Sequence, residues 1–179
     1  MRIVSGIYRS RVLKEFKGSD IRPTSDIVRE SLFNILMPII GGNSFLDLFC
    51  GTAAVGIEAI SRGADRVDFV DVSKDSVKLA SENLASLQRK ERPVFSDGVS
   101  YLTRTANKYG IIFLDPPYKS DLGIKALETI SKTDVLKEGG IVVYENEKPF
   151  EWEIDGLEKY DERRYGRAYV TFFRRKVNE

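Results

Sequence analysis

At 179 residues, 42% apolar and 31% charged, the chain reads as one ordinary soluble domain with a core large enough to need no disulfide staples. It has no histidine and one cysteine, Cys50, which excludes histidine-dependent catalysis, histidine metal sites, an internal disulfide and CxxC zinc clusters. No run approaches the ~20 apolar residues of a membrane span, and no secretory h-region follows Met1, so a cytoplasmic protein is expected.

The net charge of +1 is unevenly spread. Residues 1–24 carry Arg2, Arg9, Arg11, Lys14, Lys17 and Arg22 against Glu15 and Asp20, and residues 161–176 carry six cations against Asp161 and Glu162. Each end is net +4 around an acidic middle, which is either solubilising charge or a polyanion surface.

In chain order, Arg2–Val4 and Arg11–Leu13 flank Gly6 and predict a small basic hairpin arm over residues 1–24. Thr24 or Ser25 caps a helix with Val28, Leu32, Ile35 and Leu36 on one face, ended by Pro38 and Gly41-Gly42. Short apolar runs then alternate with helical segments. The runs are Phe45–Phe49, Val67–Val70, a weak Val94-Phe95, Ile111–Leu114 and Ile141–Tyr144, and the helices fall near 54–62, 73–88, 98–106 and 121–131. This alternation predicts an α/β domain over 25–179, a doubly wound and mostly parallel sheet. The closing "RRYGRAYVTFFRR" reads as an antiparallel hairpin around Gly166.

"FLDLFCGTAAVGIEA" places Asp47 at the end of the first strand and Gly51 and Gly56 in the turn to a helix. Doubly wound sheets bind ligands outside the carboxyl ends of their strands. Asp71, about twenty residues after Gly51, is placed to accept ribose hydroxyls, and Asp97 is a further acceptor on the same rim. A nicotinamide dinucleotide is one reading. Two details favour S-adenosylmethionine: Ala53 stands at the middle position of the glycine pattern, and Asp47 suits an ammonium group better than a pyrophosphate.

The fourth run ends in Asp115-Pro116-Pro117-Tyr118. By itself this is good turn chemistry. Beside the glycine loop, the DPPY tetrapeptide resembles the motif of methyltransferases that modify exocyclic amino groups of nucleobases. That resemblance implies that Asp115 and the Pro116 carbonyl accept the two N–H groups of the amine, with Pro117 stiffening the turn and Tyr118 stacking on the base.

"RIVSGIYRSRVL", "IRPTSDIVRESLFNIL", "FLDLFCGTAAVGIEA" and "FLDPPY", in that order, resemble the RsmD family of bacterial methyltransferases, and the likeness runs to "YGRAYVTFFRR". Members methylate N2 of guanine 966 in 16S rRNA. The resemblance implies a Rossmann-like methyltransferase domain, S-adenosylmethionine as cofactor, the small ribosomal subunit as partner, and neither metal nor membrane. A monomer is expected. It further implies that Asp47, Phe49, Gly51, Thr52 and Gly56 line the cofactor loop, and that Asp71 and Val72 hold the ribose side. Asp97 and Gly98 are expected beside the adenine, and Arg22 and Thr24 at the methionine side or base pocket. Arg2, Arg9, Arg11 and, if exposed, Arg29 are the expected RNA contacts. Ala53 departs from the family's glycine and is strained if that position needs φ > 0. Three rivals stay open: an adenine-N6 methyltransferase of DNA or RNA, a catalytically silent RNA-binding protein, and a nicotinamide-dependent oxidoreductase.

Overall fold

Every expected apolar run forms a strand in the computed structural model, which describes residues 1–17 and 25–178. The elements run α1 (Asp26–Ile40), β1 (Ser44–Leu48), α2 (Ala54–Ser61), β2 (Arg66–Asp71), α3 (Lys74–Ser86), β3 (Val94–Phe95), α4 (Gly98–Arg104), β4 (Tyr109–Leu114), α5 (Leu122–Lys132), β5 (Leu136–Asn146), β6 (Leu157–Tyr165) and β7 (Ala168–Arg175). Their sheet order is β3-β2-β1-β4-β5-β7-β6. Strands β3, β2, β1, β4 and β5 are parallel, and β7 and β6 add antiparallel.

Period-two alternation sorts the side chains onto two covered faces. Phe45, Phe69, Ile111, Phe113, Val143 and Phe172 pack under α1, α2, α3 and the arm. Leu46, Leu48, Val70, Ile112, Leu114, Val142 and Phe173 pack under α4 and α5. Fully burying one such side chain contributes about 1.5–3 kcal/mol, so the two faces carry most of the fold's stability. The paired register Val70–Leu48–Leu114–Tyr144–Thr171 ends the strands at one level. The next residues, Asp71, Phe49, Asp115, Glu145 and Val170, therefore form one row along the carboxyl rim of the parallel strands. The strand order reverses between β1 and β4, which is where such sheets place their ligands.

Helix α1 differs from expectation in two respects. Pro38 does not end it; the helix continues to Ile40 and gives way at Gly41, while Ser25 caps its start by accepting the Val28 N–H. Arg29 is also not a surface cation. It is 0% exposed, on the stripe formed with Phe33, Leu36 and Ile40, so it cannot grip RNA. Burial lowers its pKa, while the Glu58 and Asp26 carboxylates act in the opposite direction.

Glu58 explains what holds the arm. This carboxylate, 0% exposed on α2, accepts the N–H groups of Val4 (2.9 Å) and Ser5 (3.0 Å). It also receives Arg62 Nε at 3.0 Å and lies 3.8 Å from Arg29 Nε. At the end of α2, Ser61 donates to the Ser5 carbonyl and accepts the Tyr8 N–H. Ile3 and Leu13, each 2% exposed, join the core from an arm whose two limbs meet at the Arg2–Val12 bridge. Removing one partner of a buried ion pair costs about 3–5 kcal/mol. Glu58→Ala should lower unfolding free energy by that amount in urea titrations and expose the Val4 and Ser5 amides to rapid hydrogen exchange.

Candidate active site

The β1–α2 loop is bent by left-handed residues at Phe49 (φ 66°), Gly51 (φ 53°) and Ala53 (φ 71°). Two carboxylates fasten it. Asp47 Oδ2 accepts the Gly56 N–H at 2.9 Å from beneath the loop. Asp71, ending the neighbouring strand, accepts the Gly51 N–H with one oxygen and the Ser73 N–H with the other, both at 2.9 Å. A Cβ built on Gly51 meets nothing within 4 Å, so a ligand can lie directly on this backbone. A Cβ on Gly56 would fall 2.3 Å from Phe69 Cε1, so the second glycine lets α2 close onto the sheet.

The expected site residues divide into rim and support. Asp47 is 1% exposed and contributes through the Gly56 amide. Thr52 is buried as well; its Oγ1 accepts the Ala54 N–H at 3.3 Å, and its carbonyl accepts Asn83 Nδ2 at 2.9 Å. Asn83, which the sequence did not single out, also pairs with both backbone groups of Lys14 and so couples the loop to the arm. Val72 is 59% exposed beside Asp71, and Phe95, also unanticipated, is 53% exposed across the strand register from Asp71. Asp97 caps α4 by accepting the Ser100 N–H, and those Ser100 contacts hold its carboxyl below the ordinary range. Gly98 follows, with Phe49 Cζ only 3.3 Å from where its Cβ would stand. Arg22 and Thr24 lie outside the described residues.

At the end of β4, Asp115 follows Leu114, which pairs with Leu48 on one side and Tyr144 on the other. Pro116 is buried and Pro117 exposed, and Tyr118 is half-buried. Ser120 donates to the Pro117 carbonyl at 2.7 Å and Lys119 is left-handed at φ 63°, so the turn is closed on itself. Tyr144 on β5 is 5% exposed; burial, then the Asp115 charge, raises its phenol pKa. Asp115 follows the Leu114–Leu48 pair, so its turn begins one strand, about 4.8 Å, from the strand that leads into the glycine loop.

This donor and acceptor set fits a nucleoside that carries no phosphate. The Ala54 and Gly56 amides at the start of α2 are engaged by Thr52 and Asp47, whereas a pyrophosphate would need them. Asp71 retains lone pairs for ribose hydroxyls, and Val72 and Phe95 offer exposed apolar surface to a base.

The family model described as conserved hypothetical protein 95 matches residues 1–174. The chain is 32% identical over 153 residues to ribosomal RNA small subunit methyltransferase D of Haemophilus influenzae, covering 83% of this chain and 79% of the relative. It belongs to the RsmD family of methyltransferases. The solved structure of yhhF from Escherichia coli superposes with a TM-score of 0.89 at 29% identity, covering 99% of both chains. A T. thermophilus 16S rRNA N2 G1207 methyltransferase, solved with AdoMet and guanosine, shares the fold at a TM-score of 0.69 and 21% identity, covering 90% of this chain and 45% of that one.

In this RsmD-family chain Asp47 and Ala53 generate separate expectations. Burial first, and then the Asp71 charge, raises the Asp47 carboxyl well above its ordinary value, against the opposing Gly56 N–H. A raised carboxyl favours folding fully below the unfolded value near about 3.9 and loses that contribution as pH rises through the folded value. Asp47→Asn keeps an acceptor for Gly56 and does not titrate. Its stability relative to wild type should therefore grow as pH rises from the acid limb, read from urea midpoints; a pH-independent difference would contradict the assignment.

Ala53 pays about 1–2 kcal/mol for its left-handed backbone. Glycine there would lose a buried CH₃ worth about 0.8 kcal/mol and cost about 0.5–1 kcal/mol more chain entropy. These offset, so Ala53→Gly should stay within about 1 kcal/mol of wild type in the same titrations.

Proposed function

We propose that this methyltransferase transfers a methyl group from S-adenosylmethionine to the exocyclic N2 of a guanine in 16S rRNA, with guanine 966 the position to which the family resemblance points. The observation that carries the reading is the register row: Asp115 and its proline turn stand one strand from an open glycine loop whose neighbour, Asp71, holds the Gly51 amide at the same rim. The H. influenzae relative, named for the small ribosomal subunit, supports the substrate class. The T. thermophilus structure, by its name an N2-guanine enzyme holding AdoMet and guanosine, supports cofactor and base on the same fold.

The mechanism asks little proton chemistry of the protein, in keeping with a chain without histidine. S-adenosylmethionine supplies an electrophilic methyl on a sulfonium. Asp71 and the Gly51 backbone bind the nucleoside part, and Asp97 with Val72 borders the base. Asp115 accepts one N–H of the guanine amine and the Pro116 carbonyl accepts the other. These contacts draw the lone pair out of conjugation with the ring and hold it toward the donor. Tyr118 gives the extruded base a face to stack on, worth about 1–3 kcal/mol. Ser120 closes the turn through the Pro117 carbonyl, which favours acceptors that need no rearrangement during the reaction.

The deciding experiment transfers label from S-adenosylmethionine to small ribosomal subunits lacking the modification and identifies the labelled nucleoside. N2-methylguanosine at one position is expected, whereas N6-methyladenosine would overturn the guanine assignment. Asp115→Ala should lower kcat about 10²–10³-fold while cofactor affinity stays within a few-fold. Equal loss of both would make Asp115 a structural residue.

A further inference from the structure

Among the described residues, the turn of the basic arm and the tip of the C-terminal hairpin lie at opposite ends of the sheet. The turn of the arm sits on the far ends of helices that begin at the rim. Ile7 and Tyr8 bond to Ser61, the last residue of α2, and Arg11 Nη2 donates to the carbonyl of Ser86, the last residue of α3. With 8 and 13 residues respectively, these helices carry the chain roughly 12 and 20 Å from the rim. Arg9 and Arg11 are therefore remote from Asp115. Arg2 is turned to the Ser10 carbonyl of the same arm.

The C-terminal hairpin is placed the other way round. Tyr165 pairs with Ala168 across Gly166-Arg167, and only Gly166 (φ 60°) is left-handed, as in a type II′ two-residue turn. Tyr169 pairs with Asn146, one register step beyond the row that contains Asp115. The β6–β7 tip thus projects past the rim on the DPPY side. Strand spacing puts β7 about 10 Å and β6 about 14 Å from β4.

The tip is built for an anion. Arg163, Arg164 and Arg167 are exposed. Arg163 is held by Asp161, while Glu162 turns inward to the Phe150 N–H and Thr171 Oγ1. Among the described residues, Arg164 and Arg167 stand in no ion pair. Arg164 donates to the Gly166 carbonyl and lies 5.5 Å above the Tyr169 ring, which fixes its guanidinium over the turn. A pre-organised arginine fork suits phosphate oxygens, and neighbouring aromatic faces suit unstacked bases. The β5–β6 connection carries Lys148 beside Glu147 near the rim, with Glu151, Glu153 and Asp155 following.

We propose that the β6–β7 tip is the phosphate-binding lip of the active site: Arg164 and Arg167 hold the RNA backbone flanking the target base, and Arg9 and Arg11 of the arm do not. The inference rests on RNA being the substrate, as proposed above, and its test is separable from the methylation assay. Binding of an unmodified 16S rRNA fragment is followed by fluorescence anisotropy over a range of salt concentrations. Arg164→Ala/Arg167→Ala should weaken binding about ten-fold near 0.1 M salt and flatten the log–log salt slope by about 1.4, two phosphates at about 0.7 each for a single strand. KM for RNA should rise while kcat at saturation, cofactor affinity and melting temperature are unchanged. Arg164→Lys/Arg167→Lys should restore the slope, and Arg9→Ala/Arg11→Ala should bind within two-fold of wild type.

A wild-type slope and affinity in the double alanine variant would overturn the proposal, as would absence of salt-dependent rRNA binding by the wild-type chain. Loss seen only with assembled subunits, and not with naked rRNA, would reassign the tip to a ribosomal protein and overturn it equally. If the protein transfers no methyl group but its rRNA binding still depends on Arg164 and Arg167, the reaction assignment fails and the lip stands.

Discussion

The site depends on one buried hydrogen bond, from the Gly56 amide to the Asp47 carboxylate at 2.9 Å. A carboxyl that is 1% exposed forfeits most of its hydration, which is why its affinity for a proton rises. What the fold gains is position. Asp47 is fixed by strand pairing on both sides, so the first turn of α2 is fixed relative to β2 and β4. The intervening loop then has no slack, and three left-handed residues in five carry it round. Gly51 faces open space because the backbone beneath it is held down at both Gly51 and Gly56.

Helix α2 is pinned at its other end by a second carboxylate. Glu58 and Ser61 make five bonds to backbone groups of the arm, and Asn83 ties the arm's second limb to the Thr52 carbonyl. The arm therefore braces the β1–α2 loop through Asn83, and its geometry bears on the site while Arg9 and Arg11 stay at its far turn. A rigid first set of contacts matters here, since the proposed chemistry works by aiming acceptors at a poor nucleophile.

The layered sheet was legible because apolar runs and helical segments alternate cleanly; even the two-residue strand Val94–Phe95 forms. The rim residues Asp71 and Asp115 were legible because each ends a strand. Arg29 was misjudged for a definable reason. Reading the apolar face of α1 from Val28, Leu32, Ile35 and Leu36 left Arg29 outside the stripe, although Phe33, Leu36 and Ile40 extend that stripe over it. Glu58 carried a similar signal, an acid among Val55, Ile57, Ala59 and Ile60 on a helix buried all round. One buried charge of each sign was the clue that they meet. The direction in which the arm lies on the domain had no such signal, because a short basic hairpin has the same pattern whichever end of a helix it covers.

Topology, rather than charge alone, separates the turn of the arm from the tip of the C-terminal hairpin. In a parallel sheet each strand leaves at the carboxyl rim and its connection returns to the opposite end. A parallel strand added after β5 would begin at that opposite end. Here β7 runs antiparallel to β5, and β6 antiparallel to β7, so β6 finishes and β7 starts at the rim. The tight turn between them must stand beside the ends of β4 and β5 for any sequence that adopts this order. Given that placement, Gly166 and the arginines around it are positioned by the hairpin register, with no loop long enough to wander. The arm has the converse constraint: its bonds to Glu58 and Ser61 carry its turn down α2, away from the rim. Among the described residues, the turn of the arm with Arg9 and Arg11 is thereby given a different reach from the hairpin tip with Arg164 and Arg167, which stands at the rim on the side of Asp115.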